Sequence, residues 1–201
     1  KSGIITVDSV DILTLNEKER AVLVSYVPQS SSTTFDMSVI DMVLMGISPY
    51  LKMFEAPGKK HMEEAYQCLE LLGIEDLAEI KFQSLSGGLK QMVVITRALL
   101  QNSSYMILDE PDSSLDLINK NILMRKIRDV IKTYKKGCII SMHNPEYALN
   151  YCDHILLLSN GEIMEIDLNK ESIKSVEEKL SKIYGEIKII RYKNKYTLFF
   201  E

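Results

Sequence analysis

Glycine and proline are scarce in this sequence, 9 and 5 of 201 residues. With 46% hydrophobic and 26% charged residues, that scarcity excludes a disordered or low-complexity chain. Positive charge is not in excess either. Lys and Arg number 24 against 28 Asp and Glu, a formal net charge of -4, so bulk composition offers no footprint for nucleic acid. No run of ~18 apolar residues occurs, so no segment is expected to span a membrane by itself. No signal-peptide pattern opens the chain at Lys1-Ser2-Gly3. Cysteine is rare. Cys68, Cys138 and Cys152 are odd in number and form no C-x-x-C, which points to reduced, mostly core thiols of a cytosolic protein. What remains is a length sufficient for one substantial core and a small second lobe.

The patterning alternates strand and helix. Ile4 to Ile12 reads as two short strands around Asp8-Ser9, and Asn16 to Arg20 as a short helix capped by Asn16. Val22 to Gln29 is an apolar strand ended by Pro28, followed by a polar loop, Ser30 to Thr34. Helices are expected over Ser38 to Gly46 and Lys59 to Leu72, with Ala65, Cys68, Leu69 and Leu72 inward and Gly73 as the stop. A helix starts at Ser86-Gly87 and ends near Gln101, before a strand at Tyr105 to Leu108. Asp116 or Asn119 caps the next helix, which runs to Tyr134 with Ile122, Leu123, Ile127, Val130 and Ile131 inward and Gly137 as its stop. Cys138 to Met142 reads as a buried strand leading to His143. A helix at Pro145 to Tyr151 follows, then a hairpin around Ser159-Asn160-Gly161, a helix over Ser172 to Tyr184 and a strand pair around Lys193-Asn194-Lys195. The alternation predicts an α/β fold with a mostly parallel core sheet. Residues 1-201 read as one domain, with a helical subdomain at 36-84 and a C-terminal extension of helix and strands at 167-201.

Two stretches carry the chemistry. Four apolar residues before Asp109-Glu110-Pro111 describe a buried strand that delivers two carboxylates to the carboxyl edge of a parallel sheet, where ligands of open α/β folds sit. One Asp suffices for a magnesium ion that keeps its own waters, and a neighbouring carboxylate can polarise a water. The plainer reading is two exposed loop acids before a turn. Ser86-Gly87-Gly88 opens a helix; glycines allow close backbone approach, and the first amides form an anion site. The plainer reading there is an ordinary N-cap. Gln29 ends one strand, and His143 follows another, from which it is expected to emerge at the same edge as Asp109. His61 and His154 read as structural.

The ordered set resembles the ABC-type ATPases over nearly the whole chain. The resemblance implies a P-loop NTPase-like fold that binds and hydrolyses ATP with Mg2+. It makes Gln29 the Q-loop glutamine and Ser86, Gly87 and Gly88 the signature that contacts ATP held by a second subunit. Asp109 becomes the Walker B metal residue, Glu110 the catalytic base, Asp116 the end of the D-loop at the dimer interface, and His143 the switch histidine. Val43-Leu44-Met45-Gly46-Ile47-Ser48-Pro49-Tyr50 and Met142-His143-Asn144-Pro145 are further similar to the ATPases of importers for iron-siderophore, haem or cobalamin, which read close to V-x-x-G-R-x-P-Y and M-H-D-P. Partners implied are transmembrane permease subunits and a second ATPase subunit, with no nucleic acid. The location implied is the cytoplasmic face of the cell membrane, held there through the permease.

Departures are few. Leu89 stands where Gln is usual, Asp112 where Thr is common and Asn144 where Asp is common. One absence is larger: no G-x-x-x-x-G-K-[ST] occurs in the 201 residues, and that loop supplies the backbone cradle and lysine for the phosphates. In the family it lies just upstream of the strands that begin here. The expectation is therefore an incomplete N-terminal part, poor binding of the chain's own ATP, and poor folding of the bare chain because a central strand is missing. The alternatives are a catalytically defective ABC-like interaction module and a soluble ABC protein outside transport.

Overall fold

The computed structural model describes residues 3–29, 36–113 and 115–200. The expected polar loop Ser30 to Thr34 and Ser114 lie outside these residues. Contacts divide the chain into two units, residues 1–141 and 142–201.

The first unit begins with a two-residue hairpin, β1 (Thr6–Val7) against β2 (Val10–Asp11). Asp8 and Ser9 both take positive φ at its turn. Helix α1 (Glu17–Leu23) starts at Asn16, whose side chain accepts from the Glu19 amide while the Glu19 carboxylate accepts from the Asn16 amide. This reciprocal cap satisfies two orphan donors. The helix runs to Leu23, three residues past its expected end. The strand β3 (Val24–Val27) is correspondingly shorter than the apolar run Val22 to Gln29 suggests.

Three parallel strands form the sheet in the order β3, β4 (Tyr105–Asp109), β5 (Gly137–Ser141). The register sets Val24 to Val27 opposite Tyr105 to Leu108, and Tyr105 to Asp109 opposite Gly137 to Ser141. Met106 and Leu108 are buried, so β4 is anchored by its even-numbered side chains. β5 differs from its expected burial: Ile139 is 67% exposed, and among the described residues β5 has one lateral neighbour. Gly137 does not stop the preceding helix α5 (Leu117–Tyr134), whose end is set by Lys135 in the left-handed region. Gly137 is required instead by the Tyr105 ring, which a Cβ would meet at 2.4 Å. Ile122 on α5 faces outward at 37% exposure, while Leu123, Met124, Ile127 and Val130 are buried.

The stretch 36–84 is helical. Ser38 caps α2 (Val39–Leu44), a 3-10 turn follows over Met45–Tyr50, and α3 (Lys59–Leu72) ends at Gly73 with φ 64. Its two ends meet at an isolated antiparallel bridge, Ser38 with Lys81, supported by Val39 N donating to Ile80 O and Phe82 N to Met37 O (2.9 and 3.0 Å). Both helices pack on α4 (Gly87–Leu100). Gly46 permits close approach to α4, because a Cβ there would lie 2.3 Å from Arg97 O. Leu69, Leu72, Phe82, Val93 and Val94 are essentially without solvent contact, each contributing about 1.5–3 kcal/mol of burial.

The second unit holds α6 (Pro145–Tyr151), a hairpin of β6 (His154–Ser159) and β7 (Glu162–Asp167), helix α7 (Ile173–Tyr184), and a hairpin of β8 (Ile187–Tyr192) and β9 (Lys195–Phe200). Asn160 and Gly161 both have positive φ, the two-residue turn that hairpin twist favours. Its core gathers Leu149, Ile155, Leu157, Ile166, Val176, Leu180, Ile187 and Leu198. Glu171 ties α7 to the hairpin: it accepts from Lys179 Nζ (2.7 Å), Ser175 Oγ (2.6 Å) and the Asp167 amide (3.1 Å). The lysine first, then the serine, hold its carboxyl down at about 2, from an ordinary 4.5. A folded pKa below the unfolded one stabilises above the unfolded value and is lost as pH falls through the folded value. Glu171→Gln is therefore expected to melt below the parent at pH 6, the gap closing between pH 4.5 and about 2, as read by circular dichroism melts across that range.

Candidate active site at the carboxyl edge of the sheet

Parallel strands end on one side, so the register of β3, β4 and β5 brings their C-terminal residues to a common edge. Gln29, two residues past β3, donates from Nε2 to Glu110 Oε2 at 2.6 Å. Asp109 closes β4, and its two carboxylate oxygens have different partners. Ser141 Oγ, at the end of β5, donates to Oδ1 at 2.6 Å; Tyr26 Oη, from β3, donates to Oδ2 at 3.2 Å. Desolvation first, and then Asp109, push the Tyr26 phenol above its ordinary value, so it remains a donor near neutrality. Glu110 has φ 42, a conformation that breaks the strand line at once. Its amide donates to Ser141 Oγ at 2.9 Å and to Ser141 O at 3.2 Å.

Ser86 caps α4, its hydroxyl oxygen accepting from the Leu89 amide at 3.4 Å. Gly87 and Gly88 therefore occupy the first turn of a 14-residue helix, where backbone N–H groups lack intrahelical acceptors. Gln91 links this helix to the sheet edge. Only 5% exposed, it donates from Nε2 to Pro28 O at 3.2 Å, beside the residue that reaches Glu110.

Of the residues expected from sequence, the structure brings Gln29, Asp109 and Glu110 together. Ser86 to Gly88 start a helix in the same unit. Asp116 is the N-cap of α5, accepting from the Asn119 amide at 2.9 Å, the leading cause of its lowered carboxyl pKa. His143 belongs to the second unit, exposed and just before Asn144, the cap of α6. Sequence reasoning missed Tyr26, Ser141 and Gln91. A polar side chain on the apolar face of α4 was the available signal for Gln91. The strand-end register was the signal for Ser141.

The donors around Asp109 are hard oxygens, which suit a magnesium ion that keeps waters. No group of three or more His, Cys, Asp or Glu side chains able to hold a metal occurs among the described residues.

A parallel sheet that delivers paired carboxylates to its edge, in a unit that also carries a serine-glycine helix start, is a fold shared with the ABC ATPases. The solved structures agree. A transporter assigned to the metal-chelate type of ABC transporter, in an inward-facing conformation, aligns with TM-score 0.77 at 28% identity, over 88% of this chain and 70% of that one. A dimeric ATP-binding cassette bound to ADP and Pi shares the fold, with TM-score 0.71 at 24% identity over 83% and 74% of the two chains. The sequence profile of the ABC transporter family matches residues 1–113. Over 153 residues the chain is 37% identical to the "Probable iron chelatin transport ATP-binding protein" of Helicobacter pylori, covering 76% of this chain. An uncharacterized ABC transporter ATP-binding protein of Methanocaldococcus jannaschii is 38% identical over 181 residues, 88% of this chain and 70% of that protein. This chain belongs to the ABC transporter family, and it spans 60% of the length of the Helicobacter relative.

Replacing Gln91 by Leu leaves the Pro28 carbonyl without its buried donor. A loss of about 1–3 kcal/mol is expected, to be read as a lowered urea midpoint with unchanged slope.

Proposed function

We propose that this chain is the ATP-binding and ATP-hydrolysing subunit of an importer for iron chelates or similar metal complexes. The observation that carries the reading is the direct Gln29–Glu110 contact, 2.6 Å, beside Asp109 at the sheet edge. Glu110 is the base that orients and polarises water, and Gln29 reports the state of that carboxylate to the permease. Asp109 is the residue that would hold magnesium, which, when bound, neutralises phosphate charge. Ser86, Gly87 and Gly88 contribute donors to ATP held by a second subunit, Asp116 lies at that dimer contact, and His143 contacts the terminal phosphate. The helical stretch 36–84 docks the permease and residues 167–201 form an extension. Among the described residues no helix is long and apolar enough to cross a membrane; the chain is placed on the cytoplasmic face, attached through the permease. Iron chelates are favoured over other cargo by the Helicobacter relative's name and by the metal-chelate type of the solved transporter.

A second reading is an ABC-like interaction module without hydrolysis. ATP turnover by the natural assembly, purified with its membrane partners, separates the two. The importer reading expects turnover that Glu110→Gln lowers by about 10²-fold or more, the scale of a lost general base, together with loss of iron-chelate uptake. No turnover in the parent assembly would establish the module instead.

A further inference from the structure

Ser141 is hydrogen-bonded to both acids, and neither residue spacing nor family resemblance singles it out. It lies at the last position of β5, the register partner of Asp109. Its hydroxyl donates to Asp109 Oδ1 (2.6 Å) and accepts from the Glu110 amide (2.9 Å). One hydroxyl carries one donor and two acceptor sites, so the two bonds are compatible. The first has the length of a charge-assisted O–H···O bond, among the stronger hydrogen bonds proteins make. The second bears on a strained residue. Glu110 sits at φ 42, a region that an L-residue with a side chain occupies only when its surroundings hold it there.

We infer that Ser141 is a positioning residue for the carboxylate pair: one hydroxyl fixes the Asp109 carboxylate and pins the Glu110 amide in the left-handed turn. The inference deepens the ATPase reading and rests on it. Without the Ser141 hydroxyl, the Asp109 carboxylate keeps, among the described residues, its 3.2 Å bond from Tyr26, and the Glu110 amide keeps the longer of its two bonds, to Ser141 O at 3.2 Å, so both acids are held less firmly. Gln29 continues to hold the Glu110 side chain through Oε2. The first consequence falls on the metal requirement and the second on turnover, while nucleotide affinity is spared.

Three variants test this in the full natural protein within its transporter assembly: Ser141→Ala, Ser141→Thr, and Ser141→Val, which has nearly the shape of threonine without the hydroxyl. Three quantities are read: hydrogen exchange at the Glu110 amide, the magnesium concentration for half-maximal turnover, and kcat against KM for ATP. Ala and Val are expected to speed exchange and lower kcat by about tenfold or more, the order of one charge-assisted hydrogen bond. They are also expected to raise the magnesium requirement several-fold while KM stays within about twofold. Thr restores all three. Faster exchange with unchanged kcat and magnesium requirement overturns the positioning role, as does lowered kcat with unchanged exchange, or a Val variant that behaves as Thr. If Ala fails to fold, the Thr–Val pair decides alone. A parent assembly that hydrolyses no ATP defeats the functional reading and the catalytic role of Ser141 with it. That outcome is distinct from an active parent whose Val and Thr variants are alike.

Discussion

The parallel pairing of β4 with both neighbours is the constraint on which the rest depends. It is a matter of register: Val27 opposite Leu108, and Asp109 opposite Ser141. A shift of one residue along either ladder would send alternate side chains to opposite faces. Met106 and Leu108, both buried, would move toward solvent, so the hydrophobic core enforces the alignment. The polar edge inherits that precision. Tyr26, Gln29, Asp109, Glu110 and Ser141 meet because apolar residues upstream of them are locked.

The helical layer transmits the same constraint to the serine-glycine loop. Helix α4 carries Ser86 to Gly88 at its start and buries Val93, Val94, Ile95 and Ala98 along its length. Gly46 lets the turn after α2 approach the α4 backbone. Gln101, at its far end, donates to Ala21 O and Val24 O (2.5 and 3.4 Å), while Gln91 reaches Pro28 near the start. The two glutamines tie α4 to both ends of the β3 segment. Pro28, which Gln91 reaches, precedes Gln29, and Gln29 is bonded to Glu110.

Much was legible from local signals. Asn16 and Ser86 were readable as caps, and Asp116 as one of two candidates with Asn119, because short polar side chains before periodic apolar runs satisfy first-turn amides. The bounds Lys59 to Leu72 followed from helical spacing and a left-handed glycine. Asn160-Gly161 marked a hairpin because both residues tolerate positive φ. Errors arose where a distant partner outweighs local preference. Val22 and Leu23 look like strand, yet continue α1. Gly137 looks like a helix stop, yet its small size serves Tyr105. Ile139 looks buried, yet lies on a strand with one described neighbour.

The sequence by itself determined on or beside which element each candidate residue lies, since strand, helix and cap signals act over a few residues. It also determined the family, through the order in which those residues occur. Only the tertiary structure decided that Gln29 touches Glu110 across 81 residues and that Ser141 serves Asp109 across 32. Such contacts follow from which strands pair and in what register. Register is set by burial summed over the whole core, so it is written at no single position of the chain.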